Sequence, residues 1–474
     1  MRRSPWLPLV VLAFAQFMVV LDVTIVNVAL PRIQTDLDFS ADSLQWIVSA
    51  YTLMFGGFLL LGGRAADLLG RRAVFIAGLA LFSLASLVAG LSVSAAMLVA
   101  ARTVQGLGAA LLSPAALSLL TVAFAHGRER NIALGVWGAL AGLGGTLGVV
   151  FGGFLVDSVG WEWVFFVNVP IGAVLIATAP RILTESRAEG SSRDFDLPGA
   201  ILGTAGVLAA VFGVVRAGPM GWGSPEVIGS LVGAVVLLAG FVAVERRAKA
   251  PLVPMRLFRS RALRYGSGAL ALNGAGFLAM FFLTAIFLQE VRGSSALQAG
   301  LELLPMGVAA VLSAVIVSGL VTKVGTRPVQ IAGSILSVLG LVALTRIGAE
   351  SSYLTVILPG LIVFGAGIIA VGVPAQISAV AEFTHRDAGA ASGLVTAGNQ
   401  VGGALGLAFI STISNSKVTD ELASGHSVSG ALVEGFHLGL WVAAAFAAAN
   451  LLLSFASPSI APTEEDLAEA AAVA

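Results

Sequence analysis

The 474-residue sequence contains no cysteine. That excludes a disulfide scaffold, thiolate metal sites and cysteine nucleophiles. Histidine is almost as scarce, with four scattered residues, which argues against a histidine metal cage. Charged residues make up only 11%. A soluble globular domain carries about 25%. So few charges do not solvate a surface of this size. Twenty-six basic residues balance 26 acidic ones, whereas a nucleic-acid binder should be basic. No GxxxxGK[ST] phosphate loop is present, so ATP is not the expected energy source. No TVGYG-type filter suggests a channel. Hydrophilic segments reach about twenty residues at most, too short for a soluble signalling domain of the kind a membrane sensor needs.

What the sequence has instead is apolar length. Hydrophobic residues are 57% of the chain, which also excludes disorder. A helix crosses the hydrocarbon with about 20 apolar residues. Fourteen such runs are read at 7–30, 44–62, 73–92, 95–122, 131–156, 163–180, 198–216, 225–244, 264–288, 298–321, 328–346, 354–380, 389–414 and 436–457. The ten-residue alternating segments of a β-barrel do not occur. The first run is too long for a cleaved signal peptide, and it carries Asp22 and Asn27. With the N-terminus in the cytoplasm, 20 Lys and Arg fall in cytoplasmic loops against 5 outside. That asymmetry predicts both termini inside.

Two segments repeat. Gly106 to Ser118 in the fourth run, with Pro114, is echoed by Gly365 to Ser378 in the twelfth, with Pro374 and one residue inserted. Gly144–Gly148 in the fifth run is echoed by Gly402–Gly406 in the thirteenth. The expected architecture is therefore an all-α membrane protein of fourteen transmembrane helices. Two six-helix pseudo-symmetric halves, 1–190 and 251–474, flank two inserted helices in 191–250. Two such halves around a midplane site describe a secondary transporter.

The polar residues inside these runs are the candidates for mechanism. Asp22 lies about 12 Å from the outer end of the first helix, and Arg102 about 10 Å from the outer start of the fourth. The matching depths allow an ion pair, because a buried Arg needs a partner; snorkelling to the headgroups is the alternative for Arg102. Gln16, Thr24 and Asn27 share a stripe expected to face a substrate cavity, with interhelical hydrogen bonding as the alternative. Gln105, Asn273, Gln376, Asn399 and Gln400 are further polar candidates for substrate contact, each equally open to a packing role. Glu302 lies about 7 Å below the outer edge of the tenth helix, before Pro305. There it offers a cationic substrate a second membrane carboxylate, or simply reaches outer water. Gly63, Asp67, Gly70, Arg71 and Arg72 occupy the loop expected between the second and third runs. The glycines permit a tight turn there, and the arginines sit at headgroup level.

The Gly63–Arg72, Leu98–Ala110 and Gly144–Gly153 segments resemble the three signature motifs of the major facilitator superfamily. Leu21–Pro31, Trp161–Gly172, the inserted helix pair and Pro254–Arg259 are similar to its fourteen-span drug:proton antiporter branch. The resemblance implies proton-coupled efflux of hydrophobic or cationic small molecules, with Asp22 and Arg102 in proton coupling. It further implies that Asp67 acts as a conformational switch against the N-terminus of the thirteenth helix. It implies no enzymatic activity and no cofactor beyond the proton gradient. The expected setting is a monomer in a bacterial inner membrane whose partners are substrate, protons and lipid. The chain departs from the family pattern at Val149, which replaces the usual proline. It departs again at Ala65, Leu68 and Thr322. A proton-linked importer or facilitator of a polar nutrient is the alternative on the same fold.

Overall fold

The computed structural model describes residues 6–39, 46–124, 128–187, 196–248, 251, 253–383 and 388–459. Among them there is no strand. The helices are α1 Leu7–Asp36, α2 Trp46–Leu69, α3 Arg71–Gly90, α4 Ala95–Ala123, α5 Arg128–Ser158, α6 Asn168–Ile182 and α7 Leu197–Met220. They continue with α8 Pro225–Glu245, α9 Arg261–Ile286, α10 Ala296–Val324, α11 Thr326–Leu344, α12 Leu358–Ala381, α13 Ala388–Ala423 and α14 Val428–Ala456. A single helical turn, Trp163–Phe166, precedes α6.

Local chemistry sets many of these boundaries. Hydroxyl and carboxylate side chains cap helix starts by accepting a backbone N–H. Ser94 caps α4 through Met97, Asp196 caps α7 through Gly199, and Ser260 caps α9 through Leu263. Ser295 and Gln298 form a full capping box on α10. Such caps contribute about 1 kcal/mol each. The turns between α2 and α3 and between α10 and α11 each use one residue at positive φ. Gly70 stands at +113° and Gly325 at +82°, a region that a side chain disfavours.

One expectation needs correction. The Gly63–Arg72 segment is not a loop. Helix α2 runs on to Leu69, bending by 50° near residue 60, and only Gly70 breaks it. The residues Arg64 to Leu69 include no helix breaker. The all-helical membrane architecture stands, and the count of fourteen spans is not confirmed. Twelve helices among the described residues are long and apolar enough to cross a membrane, or thirteen if bent α2 counts as one span. The remaining expected span coincides with α5, several of whose side chains lie outside the described residues, Val149 among them.

The chain divides into two compact units. Unit 1 comprises Met1–Ala125, Phe151–Arg259 and Phe383–Ala397; unit 2 comprises His126–Val150, Ser260–Glu382 and Gly398–Ala474. Within unit 1, α4 packs against α1, α2 and α3, and α6 packs against α1 and α3. Within unit 2, α12 packs against α9, α10 and α11, and α14 packs against α9 and α11. The same pairing thus recurs eight helices later. The repeated glycines have repeated jobs. A Cβ on Gly106 would lie 2.4 Å from the Tyr51 carbonyl oxygen, and one on Gly365 would lie 2.4 Å from that of Met306. A Cβ on Gly108 would meet the Phe82 nitrogen at 2.6 Å, and one on Gly367 the Ser337 nitrogen at 2.5 Å. Absent side chains bring the helix backbones together, the usual device of membrane helices.

Candidate functional site

The centre of unit 1 holds a fully buried polar network. Asp22 on α1 and Arg102 on α4 form an ion pair, with Arg102 Nη1 donating to Asp22 Oδ2 at 2.5 Å. The same nitrogen donates to Gln105 Oε1 at 2.7 Å, and Arg102 Nε donates to the Ile47 carbonyl on α2 at 3.1 Å. Gln105 Nε2 donates to Asp22 Oδ1 at 2.7 Å and to Ser86 Oγ on α3 at 2.6 Å. Asn168, at the start of α6, donates through Nδ2 to Asp22 Oδ1 at 2.9 Å and to Ser86 Oγ at 3.3 Å. The Tyr51 ring lies 4.2 Å from the Arg102 guanidinium carbon, within cation–π range, and the Phe165 ring lies 5.8 Å away.

The helices explain why these groups meet. Gly106, one turn beyond Arg102, lets α2 close on α4 and brings Tyr51 and Ile47 against the guanidinium. Three donors, Arg102 Nη1, Gln105 Nε2 and Asn168 Nδ2, converge on the Asp22 carboxylate. The network is unevenly satisfied. Tyr51 Oη and Asn168 Oδ1 are buried and have no hydrogen-bond partner. Removing two charges from water costs several kcal/mol per ion, and intramembrane charges mark functional sites.

A second cluster surrounds Gly70. Arg71 donates to Asp67 Oδ1 at 3.0 Å across the turn, and both residues are buried. The backbone N–H groups of Arg72 and Ala73, in the first turn of α3, donate to the Glu185 carboxylate at 3.0 and 3.2 Å. Arg72 Nη1 donates to the Leu183 carbonyl, at the end of α6, at 3.2 Å. Gly63, one turn before Asp67, faces Gly393 of α13. A Cβ on Gly63 would lie 3.6 Å from the Gly393 Cα.

Of the other candidates, only Gln105 joins either cluster. Gln16 Oε1 accepts from Ser113 Oγ at 2.9 Å. Thr24 bonds the Leu21 carbonyl and Asn27 bonds the Val23 carbonyl, both within α1. Gln105 is fully buried inside the Asp22 network. In unit 2, Asn273 donates to the Ile368 carbonyl at 3.1 Å. It also lines a cavity of about 10 Å³ with Ser337 and Asn450, room for about one water. Asn399 packs against Gly274, and Gln376 and Gln400 are half-buried. Glu302 is half-buried, with Ser294 Oγ 3.4 Å from Oε2; its carbonyl accepts the Tyr353 hydroxyl at 2.6 Å. Sequence reading missed Asn168, Ser86, Tyr51 and Glu185. Asn168 carried a signal, as an amide inside the apolar Trp161–Gly172 run. Ser86 and Glu185 carried none, because their partners are distant in the chain.

The model of the Major Facilitator Superfamily matches residues 12–407. The chain belongs to the Major Facilitator Superfamily. Its relatives include the puromycin resistance protein of Streptomyces alboniger. That protein is 40% identical over 453 residues, covering 95% of this chain and 90% of the relative. The cephamycin export protein of Amycolatopsis lactamdurans is 41% identical over 422 residues, covering 88% and 87%. Among solved structures, the superfamily proton:xylose symporter XylE aligns with a TM-score of 0.67 at 14% identity, covering 98% of both chains. The human organic anion transporter MFSD10 aligns at 0.64 and 16% identity, covering 96% of this chain and all of that one. These two likenesses speak to fold alone. The chain is thus a multi-pass membrane transporter of a family whose members include antibiotic exporters.

Proposed function

We propose that this superfamily member exports hydrophobic or cationic small molecules, antibiotics among them, in exchange for protons by alternating access. The export reading is carried by 40% identity across 95% of the chain to a puromycin resistance protein. Proton coupling rests on the fully buried Asp22–Arg102 pair. Asp22 is the proton-carrying carboxylate and Arg102 its counter-charge. Substrate and proton bias one equilibrium in opposite directions, and the coupling is reciprocal. The Gly63, Asp67, Gly70, Arg71 and Arg72 segment is the conformational switch, supported by the buried Asp67–Arg71 pair. Gln16, Thr24, Asn27, Gln105, Asn273, Gln376 and Asn399 remain the candidates for substrate contact, with Glu302 as an anionic partner for cations. The chain resides in a bacterial plasma membrane as a monomer with both termini cytoplasmic, uses no cofactor, and draws on the proton gradient.

Proteoliposomes test this directly. Addition of puromycin or ethidium to the wild type should release protons, and Asp22→Asn, shown to be monodisperse, should release none. Full release from the Asn variant would remove Asp22 from the coupling role. Glu302 is tested by substrate charge: Glu302→Gln should weaken export of monovalent and divalent cations and spare neutral compounds.

A further inference from the structure

From Arg246 to Arg264 the sequence carries seven basic residues and no acidic one. The part of this run within unit 1 is built as a platform. The buried Glu245 carboxylate, at the end of α8, accepts the backbone N–H of Val253 at 3.2 Å. Val253 packs with Ala200 of α7 and Phe241 of α8, and Met255 lies against them. The chain then forms a 3₁₀ turn, Met255–Arg259, with Leu257 buried beneath it. At three residues per turn, Arg256 and Arg259 share one edge. Both are exposed, as are Arg246 and Arg247 directly after α8. Phe258 stands 39% exposed between the two arginines of the turn.

The neighbouring helix says what surrounds this platform. Only 17% of the apolar window of α8 is buried inside the protein, the smallest share among the candidate spans. Its exposed Ile228, Val232, Val235 and Val236 therefore face hydrocarbon. Arg246 and Arg247 continue directly from that lipid-facing helix, which sets them at the level of the headgroups. Guanidinium groups match phosphate bidentately, and an aromatic ring beside them suits the headgroup–acyl boundary. A topology signal alone needs basic residues but no fixed turn holding them on a buried anchor.

We propose that Arg246, Arg247, Arg256 and Arg259, with Phe258, bind the headgroups of anionic phospholipid in the leaflet at the α8 end. The site takes a phosphodiester lipid such as phosphatidylglycerol, held by its phosphate and seated by its acyl chains against α8. The leaflet rests on the orientation proposed above; the test reads lipid retention and not transport, so the two readings fail separately. Detergent-purified full-length protein is titrated with dioleoylphosphatidylglycerol, dioleoylphosphatidylcholine or inorganic phosphate, and bound lipid is counted by native mass spectrometry. The wild type should retain phosphatidylglycerol at least about tenfold better than Arg246→Gln/Arg247→Gln/Arg256→Gln/Arg259→Gln, given the attraction of each basic side chain for anionic lipid. Phosphatidylcholine should be held weakly and equally by both. The variant still leaves 16 basic residues against 5 across the proposed faces, so topology should hold. A measurement on the wild type alone guards against misfolding of the variant: phosphatidylglycerol retention should fall as salt rises. Equal retention by wild type and variant, salt-independent retention, or displacement of the lipid by millimolar inorganic phosphate would each overturn the proposal.

Discussion

At the scale of single residues, the Asp22 network separates stability from function. Asp22 and Arg102 stand out in the sequence as charges in apolar runs at matching depth. Asn168 stands out only as an amide in an apolar run, and Ser86, which joins the network through Asn168 and Gln105, does not stand out. Nothing local shows that Asn168 reaches Asp22 and Ser86 from 146 and 82 residues away. Breaking a buried pair on one side leaves an uncompensated charge, at a cost of about 3–5 kcal/mol. Asp22→Asn and Arg102→Gln should each lower the melting temperature in detergent. The double variant should lose less than the sum, since it removes both charges together. Additive losses would mean that the pair is not coupled. Neither single variant nor the double should restore proton-driven export. Asn168→Leu removes one donor from the carboxylate and should cost about 1–3 kcal/mol. A melting temperature and transport rate equal to wild type would make that contact dispensable.

At the scale of helices, the glycine echoes were the most legible feature, because a repeat needs no tertiary knowledge to be seen. Their packing meaning gives a paired prediction. Gly106→Ala drives a Cβ to 2.4 Å from the Tyr51 carbonyl oxygen, against rigid backbone. Overpacking of this kind costs about 1–3 kcal/mol. Gly365→Ala meets the Met306 carbonyl oxygen at the same distance and should cost a similar amount. Gly229→Ala meets nothing within 4 Å and gains about 1 kcal/mol of helix propensity. Thermal melts should therefore rank Gly229→Ala at or above wild type and the other two below it. Only Gly106→Ala should also impair coupling, because Arg102 lies one turn away on α4. The end of α2 was less legible. A glycine- and arginine-rich stretch reads as a loop, yet Gly63 sits inside the helix, and only Gly70 takes a backbone conformation that ends it.

At the scale of the molecule, hydropathy yields the membrane class but not the pairing of remote segments. Glu185 caps α3 from 113 residues away, and no one-dimensional pattern carries that contact. The same limit separates the two roles proposed within unit 1. Ile47 touches Arg102 near the start of α2, and Asp67 lies twenty residues further along the same helix. That is up to about 30 Å at helical rise, less the bend. A change at Asp67 therefore acts on the Asp22 site only through the balance of conformations, and a ligand's affinity then shifts only as that balance does. The absence of cysteine gives a clean background for measuring it. Single cysteines introduced as Ala95→Cys and Ala123→Cys mark the two ends of α4. Asp67→Asn breaks the buried pair with Arg71 across the turn at Gly70. Labelling at the Ala123 end, the proposed cytoplasmic one, should rise, labelling at the Ala95 end should fall, and turnover should slow. An unchanged ratio with normal turnover would reduce the Asp67–Arg71 pair to a topology anchor.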